Sequence, residues 1–280
     1  MSLRGYLRIV RPVNALVAGI AVLLGVLVAG VAITPPLFLL VVAVFCITGA
    51  GNAVNDYCDR EIDAINRPER PIPSGSVSIR GAAFYSTFLF LVGIMLAALV
   101  NPLCFGLACL NSILLVTYAA WLKRVPLAGN LVVSYLAGSI FLFGGAAAGI
   151  NGVILNLPLA GIVFLPMIAR EILKDAEDIE GDQEGGARTL PMVIGVLPSC
   201  RIAGVLAAGA VILSILPIVP WWSVWYLATI ALADVIILFA AVSSIRCTTS
   251  ACVRDSGATT TLKSGMFAAL AILILWALSG

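Results

Sequence analysis

The stretch from Asn52 to Ser74 has the residue types and spacing best suited to chemistry. It reads NAVNDYCDREIDAINRPERPIPS and lies between two long apolar segments. Asn55, Asp59 and Asp63 follow one another at intervals of four, so on a helix they drift by only about 40° per step and share one face. Carboxylates next to a membrane-spanning segment are costly unless something compensates them. The spacing therefore predicts a row of oxygen ligands at a helix end.

A second acidic stretch, from Arg170 to Pro191, reads REILKDAEDIEGDQEGGARTLP. Glu171, Asp175, Asp178 and Asp182 are spaced by four, three and four, which again places them on one side of a helix. Because neighbouring carboxylates repel one another, divalent cations are expected between them. Oxygen ligands favour hard ions such as Mg²⁺, which binds through a few carboxylates and substrate phosphates. The chain contains no histidine, which excludes imidazole metal sites and histidine general bases.

The composition predicts a polytopic, all-α membrane protein. Of 280 residues, 61% are hydrophobic and 11% are charged, whereas about a quarter are charged in a soluble domain. A transmembrane helix needs about 20 mainly apolar residues, and nine segments qualify. They lie near residues 13–33, 37–56, 79–100, 103–121, 129–149, 157–177, 199–219, 222–244 and 261–279. Breaker residues separate them at Thr34 to Pro36, at Asn101 and Pro102, at Asn156 to Pro158 and at Pro217 to Pro220.

The order of the segments predicts two related halves. In segments one to four and five to eight, the second segment ends in an acidic helix and a basic loop, as parallel repeats would. We therefore expect one intramembrane domain over residues 1–280, with two four-helix halves and a ninth helix around a central cavity. The two carboxylate faces are expected to meet across that cavity.

The basic residues predict the orientation in the cell membrane. If the N-terminus is cytoplasmic, all 16 Lys and Arg residues fall on the cytoplasmic side, as the positive-inside rule requires. Both acidic stretches then lie on that side too. The N-terminal apolar run is longer than the 7 to 15 residues of a signal-peptide core, so we interpret it as a retained helix.

Two acidic faces, Mg²⁺ and several basic side chains together favour a diphosphate ligand. Metal ions would bridge aspartate and phosphate oxygens and neutralise a leaving group, while Arg and Lys complete the cage. If the rest of the substrate is a long hydrocarbon, the spans supply an apolar tunnel. Loss of diphosphate would then create an allylic carbocation that an acceptor captures.

The motif Asn55-Asp56-x-x-Asp59-x-x-x-Asp63, followed by Arg67-Pro-x-Arg70-Pro, resembles the first signature of the UbiA superfamily of intramembrane prenyltransferases. The stretch Asp175-x-x-Asp178-x-x-x-Asp182 is similar to the second signature. The residues of both acidic stretches look most like those of the archaeal members of the superfamily. Those enzymes transfer a geranylgeranyl group from its diphosphate to the free hydroxyl of geranylgeranylglyceryl phosphate. That reaction forms the second ether bond of archaeal lipids.

The resemblance also implies roles for individual residues. Asn55, Asp59 and Asp63 would hold one Mg²⁺, Asp178 and Asp182 the other, with Asp56 and Asp175 beside them. The catalytic residues would be Asp59, Asp63, Asp178 and Asp182. Substrate binding would involve Asn14, Arg67, Arg70, Tyr118, Lys123, Arg124 and Lys174. Tyr118 and Lys123 correspond to a YxxxK element of the family, here longer by one residue.

Two alternatives remain open, and a third is disfavoured. An aromatic prenyltransferase of quinone synthesis would use the same diphosphate cage with another acceptor. A transporter would instead place its polar groups near the bilayer midplane, and a CDP-alcohol phosphotransferase would need a DG and AR block that this chain lacks. Asp234 lies in the middle of a span, outside the expected site, and the seven cysteines are assigned to packing. Neither a nucleic acid nor an obligate protein partner is expected.

Overall fold

The apolar segments form α-helices, because a helix satisfies its backbone N–H and C=O groups internally and lipid offers them no partner. The computed structural model describes residues 2–32, 37–216 and 219–279, without the side chain of Glu184. Within these ranges there are α-helices and short 3-10 segments but no strand, which confirms the all-α prediction. The helices are α1 Leu3–Ile9, α2 Pro12–Val28, α3 Phe38–Cys58, α4 Arg60–Asn66, α5 Ile79–Ala98, α6 Pro102–Ala120, α7 Ala128–Gly145, α8 Gly149–Glu177, α9 Ile179–Glu184, α10 Leu190–Ile194, α11 Val196–Ile215, α12 Val224–Ser244, α13 Ser250–Ser256 and α14 Ala258–Ser279.

The described ranges contain seven helices that are long and apolar enough to cross a membrane. An eighth is added if α1 and α2, which are bent by 48°, form one broken span. This count treats Ala128–Glu177 as a single helix of 50 residues. At about 1.5 Å per residue that length is more than twice the roughly 30 Å hydrocarbon core. These apolar helices make the chain a multi-pass membrane protein. The count of nine membrane-spanning segments stays a prediction.

Close glycine contacts show that α7 and α8 run antiparallel. A Cβ on Gly138 would lie 2.8 Å from the carbonyl oxygen of Ala160, and one on Gly145 would collide with the carbonyl oxygen of Gly152. Along these contacts the residue number rises in α7 and falls in α8, so the chain reverses its direction between the two helices. Gly149 ends the 3-10 turn with a φ of +74°, a conformation that glycine adopts easily.

This reversal corrects one of the predicted breakers. Asn156 and Pro158 were expected to separate two spans, but both lie inside α8. Buried neighbours stabilise the helix there, because the Asn156 amide donates to the carbonyl oxygens of Gly25 and Gly152, both at 2.9 Å. The breaker at Asn101 is confirmed, since its side chain caps α6 by accepting from the Cys104 N–H. The breaker at Thr34 to Pro36 lies outside the described residues, as does Pro217.

The chain divides into two compact units. Unit 1 comprises Met1–Trp121 and Ser139–Asn156, and unit 2 comprises Leu122–Gly138 and Leu157–Gly280. Unit 1 has a core of small and branched residues from α2, α3, α5 and α6, and unit 2 has one from α8, α11, α12 and α14. The first four predicted spans all fall in unit 1. The fifth does not fall in one half, because the boundary between the units lies within α7, after Gly138.

Replacing Gly25 with alanine is expected to destabilise the protein by about 1–3 kcal/mol through overpacking. A Cβ there would lie 2.5 Å from the carbonyl oxygen and 3.1 Å from the Cα of Phe141, which are backbone atoms that cannot rotate away. Thermal unfolding in detergent measures the effect. The control is Gly106→Ala in α6, where a Cβ meets nothing within 4 Å and the helix gains propensity. Equal melting temperatures for the two variants would contradict the prediction.

Two of the cysteines form a disulfide rather than only packing. Cys247 follows α12 and Cys252 lies in α13, and their Cα atoms are 5.5 Å apart. Thr249 caps α13 and turns the chain so that the two thiols meet. This pair was not predicted, because a separation of five residues has no characteristic chemistry. Cys46, Cys104 and Cys200 are buried and free, as expected for packing residues.

Candidate active site

The first acidic motif is built around a break in the helix at Asp59. Helix α3 ends at Cys58 and α4 begins at Arg60, and Asp59 between them has a φ of −90° and a ψ of 3°. The helical hydrogen bonds continue through the break, because the Asp59 N–H donates to the Asn55 carbonyl and the Asp63 N–H to the Asp59 carbonyl. The three ligand candidates therefore stay one turn apart. The Asn55 amide also donates to Oδ2 of Asp59 at 3.0 Å.

The second acidic motif has the same construction in unit 2. Helix α8 ends at Glu177 and α9 begins at Ile179, and Asp178 between them has a φ of −107° and a ψ of 19°. The Asp178 N–H donates to the Lys174 carbonyl and the Asp182 N–H to the Asp178 carbonyl. In each unit, then, an aspartate stands one residue beyond a long apolar helix, in a backbone conformation where active-site residues are often found.

Arginines neutralise the two buried carboxylates of the first motif. Arg70 Nη1 lies 2.7 Å from Oδ2 of Asp63 and 3.1 Å from Oδ1 of Asp56. Arg11 Nη2 lies 2.7 Å from the same oxygen of Asp56. Asp56 and Asp63 are 3% and 6% exposed, so each needs such a partner. Arg70 thus fixes the loop after α4 against α3, and the role of Asp56 and Asp63 as metal ligands stays a prediction.

Arg11 was not among the predicted site residues. It precedes Pro12 at the start of α2 and has a positive φ of 50°, which is uncommon for a residue with a side chain. Its guanidinium reaches Asp56, 45 residues away. No local sequence pattern predicts an ion pair between residues this far apart in the chain.

Partners from other helices hold the end of α8. The Asn130 amide donates to Oδ2 of Asp175 at 2.8 Å, and Thr259 donates to the Glu177 carboxylate. Arg254 donates to the Glu177 carbonyl oxygen at 2.8 Å, directly before Asp178. Asp182 lies beyond the spans, and its pKa is raised by burial and by the nearby Asp178 carboxylate, while Lys174 lowers it. A cation would relieve this repulsion.

The remaining predicted substrate-binding residues lie in several environments. Asn14 is exposed in the first turn of α2, and Arg67 is exposed at the end of α4. Tyr118 and Lys123 are half-buried, and Lys174 is exposed in the last turn of α8. The carbonyl oxygen of Arg124 accepts from the Arg188 N–H, which joins the loop after α6 to the loop after α9. Their roles in binding substrate stay predictions.

Replacing Asn130 with alanine is expected to destabilise unit 2 by about 1–3 kcal/mol, because the partly buried Asp175 carboxylate loses its amide donor. We also expect a higher KM for the prenyl donor, since the end of α8 loses a support. Melting temperature and KM measure the two effects. Ser134→Ala is the control one turn along α7, since that buried hydroxyl donates to a backbone oxygen, the Asn130 carbonyl, and not to Asp175. Unchanged values for Asn130→Ala would contradict a supporting role.

The donor set of both motifs fits Mg²⁺. It consists of carboxylate and amide oxygens, which are hard ligands. Among the described residues no group of three or more His, Cys, Asp or Glu side chains forms a cage that would hold a metal alone. That is consistent with Mg²⁺, which is usually held by one or two carboxylates together with substrate phosphates. Asp59 in one unit and Asp178 in the other lie at the helix breaks, and the Asn55 amide is hydrogen-bonded to Asp59.

Many apolar helices and two oxygen-ligand motifs at the ends of long helices define a multi-pass membrane enzyme. The chain belongs to the UbiA prenyltransferase family, whose model matches residues 16–254. The digeranylgeranylglyceryl phosphate synthase of Methanoculleus marisnigri is 54% identical over 275 residues, which cover 98% of this chain and 99% of that protein.

Solved structures show the same fold. One, from a study of digeranylgeranylglyceryl phosphate synthase in membranes, is 33% identical, with a TM-score of 0.85 and 99% of both chains covered. A UbiA homolog from Archaeoglobus fulgidus bound to GPP and Mg²⁺ is 17% identical, with a TM-score of 0.61, covering 96% of this chain and 99% of that one. At that identity the second likeness supports the fold alone.

Proposed function

We propose that this protein transfers a geranylgeranyl group from geranylgeranyl diphosphate to the free hydroxyl of geranylgeranylglyceryl phosphate, forming the second ether bond of archaeal membrane lipids. The observation that carries the chemistry is the repeated helix break, which leaves Asp59 and Asp178 each one residue beyond a long helix. The acceptor is inferred from the name of the Methanoculleus relative, which matches almost the whole length of this chain.

Two Mg²⁺ ions would be bound, one by Asn55, Asp59 and Asp63 and the other by Asp178 and Asp182, with Asp56 and Asp175 beside them. When bound, the ions neutralise the diphosphate and so favour cleavage of the allylic C–O bond. The Archaeoglobus homolog, which shares the fold, was solved with GPP and Mg²⁺ bound, so a prenyl diphosphate and Mg²⁺ are compatible with this architecture. Asp56 and Asp63 would also hold Arg70 in place, which orients the loop that carries Arg67.

Basic and polar side chains would bind the remaining phosphate oxygens. Arg67, Lys123 and Arg124 supply positive charge on exposed or half-buried loops. Lys174 stands one turn before Asp178 and would share the same phosphate. Tyr118 and Asn14 would contact the prenyl chain or the acceptor. All of these groups bind or orient substrate.

The bond changes balance without a strong base. The allylic C–O bond breaks and its electron pair leaves with the diphosphate, which produces a carbocation. A lone pair on the acceptor hydroxyl oxygen forms the new ether bond, and the proton passes to the diphosphate or to a carboxylate. The chain therefore needs to exclude water and position the hydroxyl, and the absence of histidine is no obstacle.

The whole chain would act as one prenyltransferase domain, residues 1–280, in the cell membrane. All 16 basic residues favour a cytoplasmic N-terminus and a cytoplasmic site. The partners would be a prenyl diphosphate, a lipid glycerol phosphate and the surrounding lipid, with no obligate protein partner.

A product assay on the purified protein in detergent tests the proposal. The protein receives Mg²⁺, labelled geranylgeranyl diphosphate, and either geranylgeranylglyceryl phosphate or 4-hydroxybenzoate. We expect a labelled diether only with the glycerol phosphate, and no product when EDTA is present. Prenylation of the aromatic acid alone would move the enzyme to quinone synthesis, and a lack of product with both acceptors would overturn the assignment.

A further inference from the structure

A polar cleft beside α1 has no role in the proposed reaction. Its volume is about 290 Å³, and it is lined by Ser2, Arg4, Gly5, Arg8, Pro71 and Ser76. The lining includes two arginines and no acidic residue, so its charge is positive. None of the acidic motif residues contributes to it.

Helix α1 presents three different faces. Gly5 and Ile9 are buried, and Ile9 belongs to the same hydrophobic cluster as Val77. Leu3 and Leu7 form an exposed apolar face, with 80% and 55% of their surfaces accessible. The remaining pair, Arg4 and Arg8, follows the same spacing of four and faces the cleft. A short helix with separate apolar and basic faces is typical of the membrane interface.

Backbone contacts define the shape of the cleft. The Ser2 N–H donates to the Ser76 carbonyl oxygen at 3.0 Å, and the Ser2 hydroxyl caps α1 by accepting from the Gly5 N–H. A Cβ on Gly5 would lie 2.9 Å from both the Cβ and the carbonyl oxygen of Ser76. Glycine is therefore needed for α1 to approach the loop before α5 so closely.

The two arginines of the cleft are exposed. Within the described parts of the chain, no ion pair or side-chain hydrogen bond engages either guanidinium, whereas Arg11 and Arg70 are both paired with aspartates. Side chains four apart on a helix lie about 6 Å from one another, so both can reach one phosphate. Guanidinium groups bind phosphate oxygens in a bidentate manner, more specifically than ammonium groups.

We propose that this cleft binds the phosphate headgroup of a membrane lipid, with Arg4 and Arg8 on the phosphate and with Leu3 and Leu7 inserted among the acyl chains. The exposed leucines on the adjacent face favour a lipid phosphate over a phosphate in solution. The inference goes beyond the proposed function and does not rest on it, since it involves neither Mg²⁺ nor a prenyl donor.

Native mass spectrometry of the purified protein in a neutral detergent, with EDTA present, tests this site. The probes are phosphatidic acid, diacylglycerol and inorganic phosphate. We expect phosphatidic acid to bind and diacylglycerol not to bind. The double variant Arg4→Gln/Arg8→Gln should weaken phosphatidic acid binding by about tenfold or more, because it removes two charged donors.

The control is Arg80→Gln/Arg201→Gln, which removes the same charge from exposed arginines outside the cleft. It should change the affinity by less than twofold. Gly5→Ala, which keeps the charge but separates α1 from Ser76, should also weaken binding. Equal losses in both double variants would mean general surface electrostatics, and no loss in the cleft variant would place the lipid elsewhere. Either result overturns the proposal, and inorganic phosphate binding as tightly as phosphatidic acid would overturn its lipid part.

Discussion

Alanine at position 178 is expected to lower kcat for prenyl transfer by about 10³-fold or more, a loss of roughly 4 kcal/mol of transition-state stabilisation. The Asp178 carboxylate stands directly beyond α8, where it would hold the metal that neutralises the leaving diphosphate. Asp59→Ala should cause a similar loss, because Asp59 has the same position beyond α3. Single-turnover rates at saturating donor and Mg²⁺ measure both effects.

Each motif contains its own control. Glu61 and Glu180 both lie two residues after the aspartate of the helix break, and both are exposed. Their replacement by alanine removes the same charge from the same short helix, so we expect less than about a threefold change in kcat. If Asp178→Ala retained more than a tenth of the wild-type rate, with Glu180→Ala equally affected, a metal-binding role for this position would be wrong.

Glutamine in place of Arg70 is expected to destabilise the protein by about 3–5 kcal/mol, because it leaves the buried Asp63 carboxylate without its arginine, while Asp56 keeps only Arg11. The Asp56 and Asp63 side chains are only 4% and 8% exposed, so water cannot replace the guanidinium. We expect a melting temperature lower by at least about 5 °C in detergent. Prenyl transfer should fall as well, since the loop after α4 loses its anchor.

Arg67 provides the comparison for stability. It lies in the same loop and is exposed, so Arg67→Gln should leave the melting temperature within about 1 °C. Adding Asp63→Asn to Arg70→Gln removes one uncompensated charge and should restore part of the lost stability. An Arg70→Gln variant as stable as the wild type would show that the ion pairs contribute nothing, and no recovery in the double variant would argue against charge as the cause.

The spacing of the aspartates was sufficient to predict how they are arranged along each helix. A separation of four is a local property of a helix, and the i to i+4 hydrogen bonds persist through Asp59 and Asp178 even though the helices break there. No residue pattern indicated the breaks, because aspartate is compatible both with a helical backbone and with the conformation at the break. The same holds for the turn between α7 and α8, where several glycines were available and Asn156 with Pro158 gave the more obvious signal.

By itself, the sequence determined the helical class, the membrane location and the two acidic motifs, since each depends on composition or on a period of a few residues. The tertiary structure alone decided which side chains support those motifs. Arg11 reaches Asp56 and Asn130 reaches Asp175, each across 45 residues. Pairs so far apart share no periodicity, and only the packing of separate helices brings them together, because a buried carboxylate must find a donor wherever the fold supplies one.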